Sequence, residues 1–235
     1  MSRFLPHTRQ FLALTLAAGA PAGLILFRMA YTHTILYGFL LWNLLLAWLP
    51  LLFAWMATLA YARGRARERG AWGHWLLALA SALAWLIFLP NAPYLITDIA
   101  HLRPFDHIPY FYDVTMLFSL ALTGLMLGFA SLAWMQEVVR ERWGRWPARG
   151  FAVSVIALAS FGVYLGRFLR WNSWDILIQP NALFRQLLDI LHNPLTHRTI
   201  WAHVAILTVT LLVAYGMMTL LPAILSSPIQ DRRTP

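Results

Sequence analysis

The chain has 235 residues, of which 60% are hydrophobic and 11% are charged, and its mean hydropathy is +0.62. Soluble domains carry about 25% charged residues, so this composition excludes an ordinary soluble protein and indicates a membrane protein. The 18 basic residues are all arginine and give a net charge of +9, but they lie between apolar segments, which favours contact with anionic lipid headgroups over nucleic-acid binding.

Six apolar segments are long enough to cross a hydrocarbon core of about 30 Å, which requires about 20 helical residues. They lie near residues 11–30, 34–60, 74–96, 112–136, 150–169 and 201–223. We therefore predict an all-α fold, a polytopic bundle of six transmembrane helices that forms a single domain over residues 1–235. The first segment resembles a signal peptide, because Ala18-Gly19-Ala20 is similar to a cleavage site, but its apolar run continues to Phe27 and favours a retained helix.

The arginines between these segments predict the orientation of the chain. One set of segments holds 12 of them: Arg3, Arg9, Arg63, Arg65, Arg67, Arg69, Arg140, Arg142, Arg145, Arg149, Arg232 and Arg233. The other set holds six: Arg28, Arg103, Arg167, Arg170, Arg185 and Arg198. Since cytoplasmic loops are richer in basic residues, both termini are expected in the cytoplasm, with the loops around 97–111 and 170–200 outside.

Pairs of glycines four residues apart occur in three of the segments. They are Gly19 and Gly23, Gly124 and Gly128, and Gly162 and Gly166. Because a missing side chain lets two helix backbones approach closely, this spacing predicts close helix packing at all three pairs.

A polar residue and a proline interrupt the second segment. Asn43 lies about nine residues from its outer end, roughly 14 Å deep at 1.5 Å per residue. Pro50 can kink the same helix and expose backbone carbonyls. Asn43 is therefore a candidate ligand-binding residue, although a hydrogen bond to a neighbouring helix explains it equally simply.

The third segment continues into FLPNAPYLITDIAHLRPFD at residues 88–106. Pro90 and Pro93 predict a break near Asn91, another candidate ligand-binding residue. Asp98 and His101 follow three residues apart, which places them on one face of a helix. This spacing is compatible with metal binding or proton transfer, but it is a weak metal motif, and a simple histidine–carboxylate hydrogen bond is the plainer interpretation.

Charged side chains gather at the predicted outer ends of the later segments. Asp113 opens the fourth segment, and Arg167 and Arg170 close the fifth in the sequence GRFLRWNSWD. Two further polar residues follow in the same stretch: Asn172 and Asp175. Because unpaired charges near hydrocarbon are unfavourable, we predict that the two arginines pair with two of the three aspartates Asp98, Asp113 and Asp175. The alternative is that such a network only fixes the helix ends.

The outer loop at residues 176–199 has its own pattern of hydrophobic residues. Five of them recur at helical spacing: Leu183, Phe184, Leu187, Leu188 and Leu191. Polar residues occupy the other side of this pattern. An amphipathic helix lying on the outer surface is expected here, and a lid packed over the bundle is the alternative.

Three stretches together carry a resemblance to a known family. They are WNLLLAWLP at 42–50, LPNAPYLITDIAHL at 89–102 and YLGRFLRWNSWD at 164–175. In order and spacing they resemble an uncharacterised family of bacterial integral membrane proteins that carry a domain of unknown function of the DUF1361 type. The resemblance implies a six-span protein of the bacterial cytoplasmic membrane, and it implies no reaction, ligand or partner.

The polar residues support a first functional hypothesis, a membrane enzyme or binding protein with an outward-facing site for a phosphate-bearing lipid or another anion. The ligand-binding candidates are Asn43, Asn91, Arg167, Arg170, Asn172 and Asp175, with the guanidinium groups suited to phosphate oxygens. The candidates for acid–base catalysis are Asp98, His101 and Asp113. Nucleotide-binding, hydrolase and zinc-protease motifs are missing from the sequence, so no cofactor is predicted.

Two other classes of function remain open. A transporter or channel would use Asn43, Asn91 and Asp98 along a broken-helix pathway. An accessory subunit of a membrane complex would instead use the loop at 170–200 as its partner surface. The lipid bilayer is the one partner that the sequence itself predicts.

Overall fold

The computed structural model describes residues 5–67, 70–103 and 108–225, and these residues form helices and no strands. The helices are α1 Leu5–Ala17, α2 Gly19–Thr32, α3 Phe39–Ala66, α4 Trp72–Phe88, α5 Asn91–Tyr94, a 3-10 segment Leu95–His101, α6 Tyr110–Trp143, α7 Arg145–Phe168, α8 Asp175–Ile178, α9 Pro180–His192 and α10 Arg198–Leu225. The predicted all-α class is confirmed.

Six helical stretches of the described chain are long and apolar enough to cross a membrane. They are His7–Thr32, Phe39–Ala66, Trp72–His101, Tyr110–Trp143, Arg145–Phe168 and Arg198–Leu220. Each contains most of a predicted segment, and several extend further, since arginines and tryptophans at the ends of spans are compatible with helix. The prediction for the second span was wrong at its outer end, because α3 begins at Phe39 and Asn43 therefore lies four residues into the helix, about 6 Å at 1.5 Å per residue. The alternation of these helices puts the described aspartates at one end of the bundle, called the aspartate end below. The opposite end is called the arginine-rich end.

The centre of the bundle is held by α3, α4, α6 and α7. The indole of Trp85 on α4 is buried and donates a hydrogen bond of 3.1 Å to the hydroxyl of Ser131 on α6. Pro50 lies inside α3, which continues as one helix on both sides of it. Since lipid supplies no hydrophobic force between helices, such close packing and interhelical hydrogen bonds hold the bundle together.

The break in the third span occurs where it was predicted. Helix α4 ends at Phe88, and α5 begins at Asn91 after Pro90. The freed carbonyl of Phe88 accepts a hydrogen bond of 2.9 Å from the amide of Asn91, and the carbonyl of Ile87 accepts one of 3.2 Å from Ser173. The irregular backbone is therefore satisfied by protein groups, as a membrane-buried break requires.

Two of the three predicted glycine pairs receive this broken segment. A side chain at Gly162 would overlap Pro90, and a Cβ atom at Gly124 would lie 2.5 Å from the carbonyl oxygen of Ala92. The segment after the break thus fits between α6 and α7. The prediction for the third pair was wrong, because no neighbouring group of the described chain lies within 4 Å of a Cβ atom built at Gly19 or Gly23. The spacing permits a close approach but does not supply a partner.

The predicted amphipathic helix is α9, which packs on the aspartate end of the bundle. Ile190 is buried with Ile200 and Val204 of α10. Leu183, one turn into α9, is buried as well, while Phe184 and Leu191 remain exposed. One stripe of α9 therefore packs on the bundle, and its other hydrophobic residues face outward.

Candidate functional site

A cavity of about 420 Å³ lies between α3, the broken third span and α7, and α9 borders it. It is called the α3–α7 cavity below. A stripe of α7 lines one wall: Leu158, Phe161, Gly162, Leu165 and Gly166. Eight residues of helix separate the first and last of these, so the wall is about 12 Å long at 1.5 Å per residue. The cavity is therefore elongated along the helices and has a size typical of small-molecule sites.

Most of the cavity lining is apolar, but its polar residues include three asparagines. Asn43 of α3, Asn91 at the start of α5 and Asn172 after α7 all contribute to the wall. Both amide hydrogens of Asn91 are used, because its nitrogen donates to the Phe88 carbonyl and, over 2.9 Å, to the hydroxyl of Ser173. A ligand would meet Asn91 through its carbonyl oxygen.

The chain turns sharply after α7 to form one side of the cavity. Arg170 adopts a left-handed backbone conformation with φ of 60°, and the backbone nitrogen of Trp171 donates to the carbonyl of Leu165 over 3.1 Å. Asp175 accepts a hydrogen bond of 2.6 Å from the backbone nitrogen of Asn172. This turn presents Trp171 and Asn172 to the cavity and leaves the Arg170 side chain exposed.

Asp98 is buried directly behind this wall, in a cluster called the Asp98 centre and formed by Asn43, Asp98, His101 and Arg167. The side-chain amide of Asn43 donates a hydrogen bond of 3.0 Å to Oδ2 of Asp98. His101 Nδ1 lies 3.7 Å and Arg167 Nη1 lies 3.9 Å from Oδ1, both too far for a hydrogen bond. Asn43 thus connects the cavity to a carboxylate that none of its neighbours binds bidentately.

Asp113 lies elsewhere and pairs with Arg28 of α2. The guanidinium donates to both carboxylate oxygens, over 2.6 and 3.0 Å, and both side chains are 2% exposed. The predicted pairing of the two arginines was therefore correct for Arg167 with Asp98 and wrong for Arg170. Within the described parts of the chain, Arg170 has no ion pair, and Asp175 instead binds Asn172.

Tyr37 connects the two buried aspartates. Its ring lies 4.3 Å from the guanidinium carbon of Arg28, and its hydroxyl donates 3.0 Å to the backbone carbonyl of His101. Burial, followed by the negative charge of Asp113, raises the pKa of the Tyr37 phenol. The hydroxyl therefore stays protonated and keeps its donor role at neutral pH.

Helix α9 borders the cavity with Leu183 and Leu187. The indole of Trp171, another cavity residue, donates a hydrogen bond of 2.6 Å to the side-chain oxygen of Gln186 on α9. The apolar stripe and this hydrogen bond hold α9 on the surface of the bundle at the border of the cavity.

The exposed end of α9 carries a second aspartate–histidine pair. His197 Nε2 lies 2.9 Å from Asp189, and Asn193 donates 2.8 Å to the same carboxylate. These two hydrogen bonds, of which the one with His197 contributes more, hold the pKa of Asp189 below its ordinary value. This pair resembles the Asp98–His101 pair chemically but lies outside the bundle.

The structure brings most of the predicted site residues to one region. Asn43, Asn91 and Asn172 line the cavity, and Asp98, His101 and Arg167 lie behind it. Asp113 is separate, bound to Arg28. Sequence reasoning missed Arg28 as Asp113's partner, although an arginine within an apolar segment is itself a signal of a polar partner.

A metal would find few ligands in this region. Within the described residues, no group of three or more histidine or acidic side chains is arranged to hold an ion. Asp98 and His101 together offer only two candidate ligands, one carboxylate and one imidazole.

The six apolar helices of spanning length among the described residues define a multi-pass membrane protein in a lipid bilayer. Residues 42–214 match the family described as "Protein of unknown function (DUF1361)", so the chain belongs to this family. No curated protein and no solved structure matches the chain. The family confirms the resemblance of the three stretches and adds no activity.

Proposed function

We propose that this protein binds one anionic amphiphile from the bilayer, with its apolar chain in the α3–α7 cavity and its phosphate or other anionic headgroup near Arg170. The observation that carries this proposal is the cavity itself. It is about 420 Å³ in volume, mostly apolar, and supplied with polar groups from Asn43, Asn91 and Asn172.

The position of the cavity supports entry from the lipid phase. Leu158 lies near the middle of the α7 span and Trp42 near the start of the α3 span, and both line the cavity. Their side chains are 55% and 53% exposed, respectively. Exposed apolar side chains on a spanning helix face lipid, so the cavity lies open to the part of the bilayer from which an amphiphile would enter.

Charge supports an anionic headgroup. Arg170 is exposed, has no ion pair within the described chain and immediately precedes the cavity residues Trp171 and Asn172. Arg167 faces Asp98 instead, and its charge compensates that carboxylate. Arg170 is consequently the cation best placed for a phosphate, which a guanidinium binds well.

The distribution of 12 and six arginines predicts that this site faces away from the cytoplasm. The proposed ligand is then a lipid of the outer leaflet of a cytoplasmic membrane. Acid–base chemistry by Asp98, His101 or Asp113 is not needed for binding, and the transport and accessory-subunit hypotheses have no observation here that favours them.

Binding of dioctanoyl phosphatidylglycerol to the purified full-length protein in detergent tests the proposal. We expect Arg170→Asn to weaken binding about ten- to hundredfold, since a hydrogen bond to a charged group contributes about 1.5–3 kcal/mol. Asparagine tolerates the left-handed backbone at this position. The matched control is Arg185→Gln, an exposed arginine on α9, which should bind as the original protein does.

The same titration tests the cavity and the class of ligand. Leu187→Trp fills the cavity wall and should weaken binding, whereas Leu191→Trp, one turn later and exposed, should not. Glycerol phosphate should bind far more weakly than the lipid, because it lacks the chain. Lipid binding by the Arg170 variant as strong as that of the original protein would contradict the headgroup site, and the same result for the Leu187 variant would contradict the cavity as the chain site. Binding of glycerol phosphate as strong as that of the lipid would contradict an amphiphile as the ligand.

A further inference from the structure

Two buried polar atoms of the Asp98 centre face each other without a hydrogen-bond partner. Oδ1 of Asp98 and Nδ1 of His101 are both inaccessible to solvent, and neither has a partner in the described chain. The two atoms are 3.7 Å apart. Nearly all buried polar atoms in proteins are hydrogen-bonded, so such a facing pair needs a specific explanation.

The charges around this pair come from few groups. On α3, Asn43 binds the other carboxylate oxygen, and on α7, Arg167 lies 3.9 Å from Oδ1. On α6, the carboxylate of Asp113 is bound by Arg28. With ionised Asp98, charged Arg167 and a neutral His101, the Asp98 centre has no net charge, and one added proton makes it +1.

We propose that Asp98 and His101 form a binding site for one exchangeable proton, and that proton uptake there strengthens binding of the anionic amphiphile in the α3–α7 cavity. The proton comes from solvent and is held on Oδ1 or Nδ1, with no other bond made or broken. His101 is 37% exposed at its side chain while Asp98 is buried, which gives the proton a route through the imidazole. This inference rests on the proposed function.

Asn43 provides the structural link between the proton site and the cavity. Its amide donates to Asp98 and its side chain lines the cavity wall. The added positive charge lies behind that wall in a region of low dielectric, where it attracts an anion more strongly than it would in water. Because coupling between two bound species is reciprocal, amphiphile binding must in turn promote proton uptake.

Isothermal titration calorimetry of the full-length protein with dioctanoyl phosphatidylglycerol measures both effects. The phosphodiester keeps its charge between about pH 8 and about pH 5, the range in which histidine commonly titrates. We expect binding to become about five- to tenfold tighter across this range, within the usual size of coupling between sites. Repetition in buffers of different ionisation enthalpy should show uptake of a fraction of one proton per lipid.

Two substitutions separate the proton site from the lipid site. Asp98→Asn removes one of the two proton acceptors and leaves the positive charge of Arg167 uncompensated, so binding should stay tight at high pH while its pH dependence and the proton uptake both fall by at least half. His101→Gln removes one of the two proton acceptors and should at least halve the proton uptake. This second substitution keeps the test valid if the first prevents folding, because His101 is partly exposed.

The exposed pair of Asp189 and His197 provides the matched control. Asp189→Asn removes an aspartate–histidine contact of the same chemistry on α9, and it should leave the pH dependence of lipid binding unchanged. Loss of the pH dependence in this variant would overturn the inference, as would pH-independent binding by the original protein or unchanged proton uptake in both Asp98→Asn and His101→Gln. Absence of any lipid binding would instead contradict the proposed function.

Discussion

Asp98 and Asp113 are both buried carboxylates at the aspartate end of the bundle, yet their surroundings differ. Asp113 receives two short hydrogen bonds from the guanidinium of Arg28. Asp98 receives one hydrogen bond, from the neutral amide of Asn43, and Arg167 lies 3.9 Å from its other oxygen. Asp113 borders no described part of the α3–α7 cavity, whereas Asp98 is one hydrogen bond away from it.

The difference indicates separate roles for the two residues. A buried ion pair with matched geometry is costly to break, because removal of one partner leaves the other charge in a low-dielectric environment. Arg28 and Asp113 therefore join α2 to α6 and fix the helices. A buried carboxylate with an incomplete set of partners can change its charge more readily, which is why Asp98 is the better candidate for a functional group.

Of the substitutions considered, Asp113→Asn should lower the free energy of unfolding most. A small loss would contradict the structural role assigned to Asp113. It removes the negative charge facing the buried guanidinium of Arg28, and we expect the free energy of unfolding to fall by about 3–5 kcal/mol. Denaturant titration of the protein in detergent micelles, followed by far-UV circular dichroism, measures the loss. It should also separate α2 from α6, detectable as faster hydrogen exchange in α2.

Glu141→Gln is the control for this effect. Glu141 pairs with Arg65 at the arginine-rich end over 3.3 Å, and the Arg65 side chain is 56% exposed. An exposed ion pair contributes at most about 1 kcal/mol, so this variant should unfold almost as the original protein does. Equal losses for Asp113→Asn and Glu141→Gln would show that the Arg28 pair is not a special structural contact.

Gly162→Ala should lower the free energy of unfolding by an intermediate amount. It tests how the segment that carries Asp98 is held in the bundle. The segment that carries Asp98 is held mainly by packing of Pro90 on Gly162 and of Ala92 on Gly124, with only the long Arg167–Asp98 contact of 3.9 Å beside it. A methyl group at Gly162 overlaps Pro90, so we expect a loss of about 1–3 kcal/mol in the same denaturant titration. Displacement of the break should also weaken lipid binding at the cavity.

Gly19→Ala is the control for Gly162→Ala, because Gly19 also belongs to a pair of glycines four residues apart. Among the described residues no neighbouring group lies within 4 Å of the added methyl group, and alanine favours helix, so this variant should be unchanged or more stable by up to about 1 kcal/mol. A loss at Gly19 as large as that at Gly162 would mean that the packing contacts of the broken segment do not explain the effect.

Features that depend on residues close together along the chain were predictable from the sequence. Pro90 and Pro93 locate the break because proline lacks a backbone donor, and the leucine spacing locates helix α9. That spacing did not identify the buried stripe, since Phe184 and Leu191 are exposed and the buried Ile190 lay outside the predicted set. The gathering of Asp98, His101 and Arg167 followed from the alternation of spans, which places particular helix ends at the same side of the membrane. These are the parts of the site that chain order and periodicity determine.

Features that depend on rotation and tilt of helices were not predictable. Arg28 and Asp113 are 85 residues apart, and nothing in the spacing of either residue selects the other. The α3–α7 cavity likewise depends on how α7 packs against the broken third span, where Pro90 lies against Gly162. The Gly19 and Gly23 pair failed for the same reason, since a spacing within one helix does not specify a neighbouring surface.

Asp98→Asn should have the smallest effect on stability. Asparagine retains an oxygen acceptor for Asn43, removes a buried charge with an incomplete set of partners, and leaves Arg167, which is 22% exposed, able to reach water. We expect the free energy of unfolding to change by about 1 kcal/mol or less, because the desolvation cost of the lost carboxylate offsets the weak attraction that is lost with it. The same denaturant titration measures the change beside that of Asp113→Asn. A loss comparable with the one at Asp113 would mean that Asp98 also fixes the helices, and its incomplete partners would then no longer set it apart as the functional carboxylate.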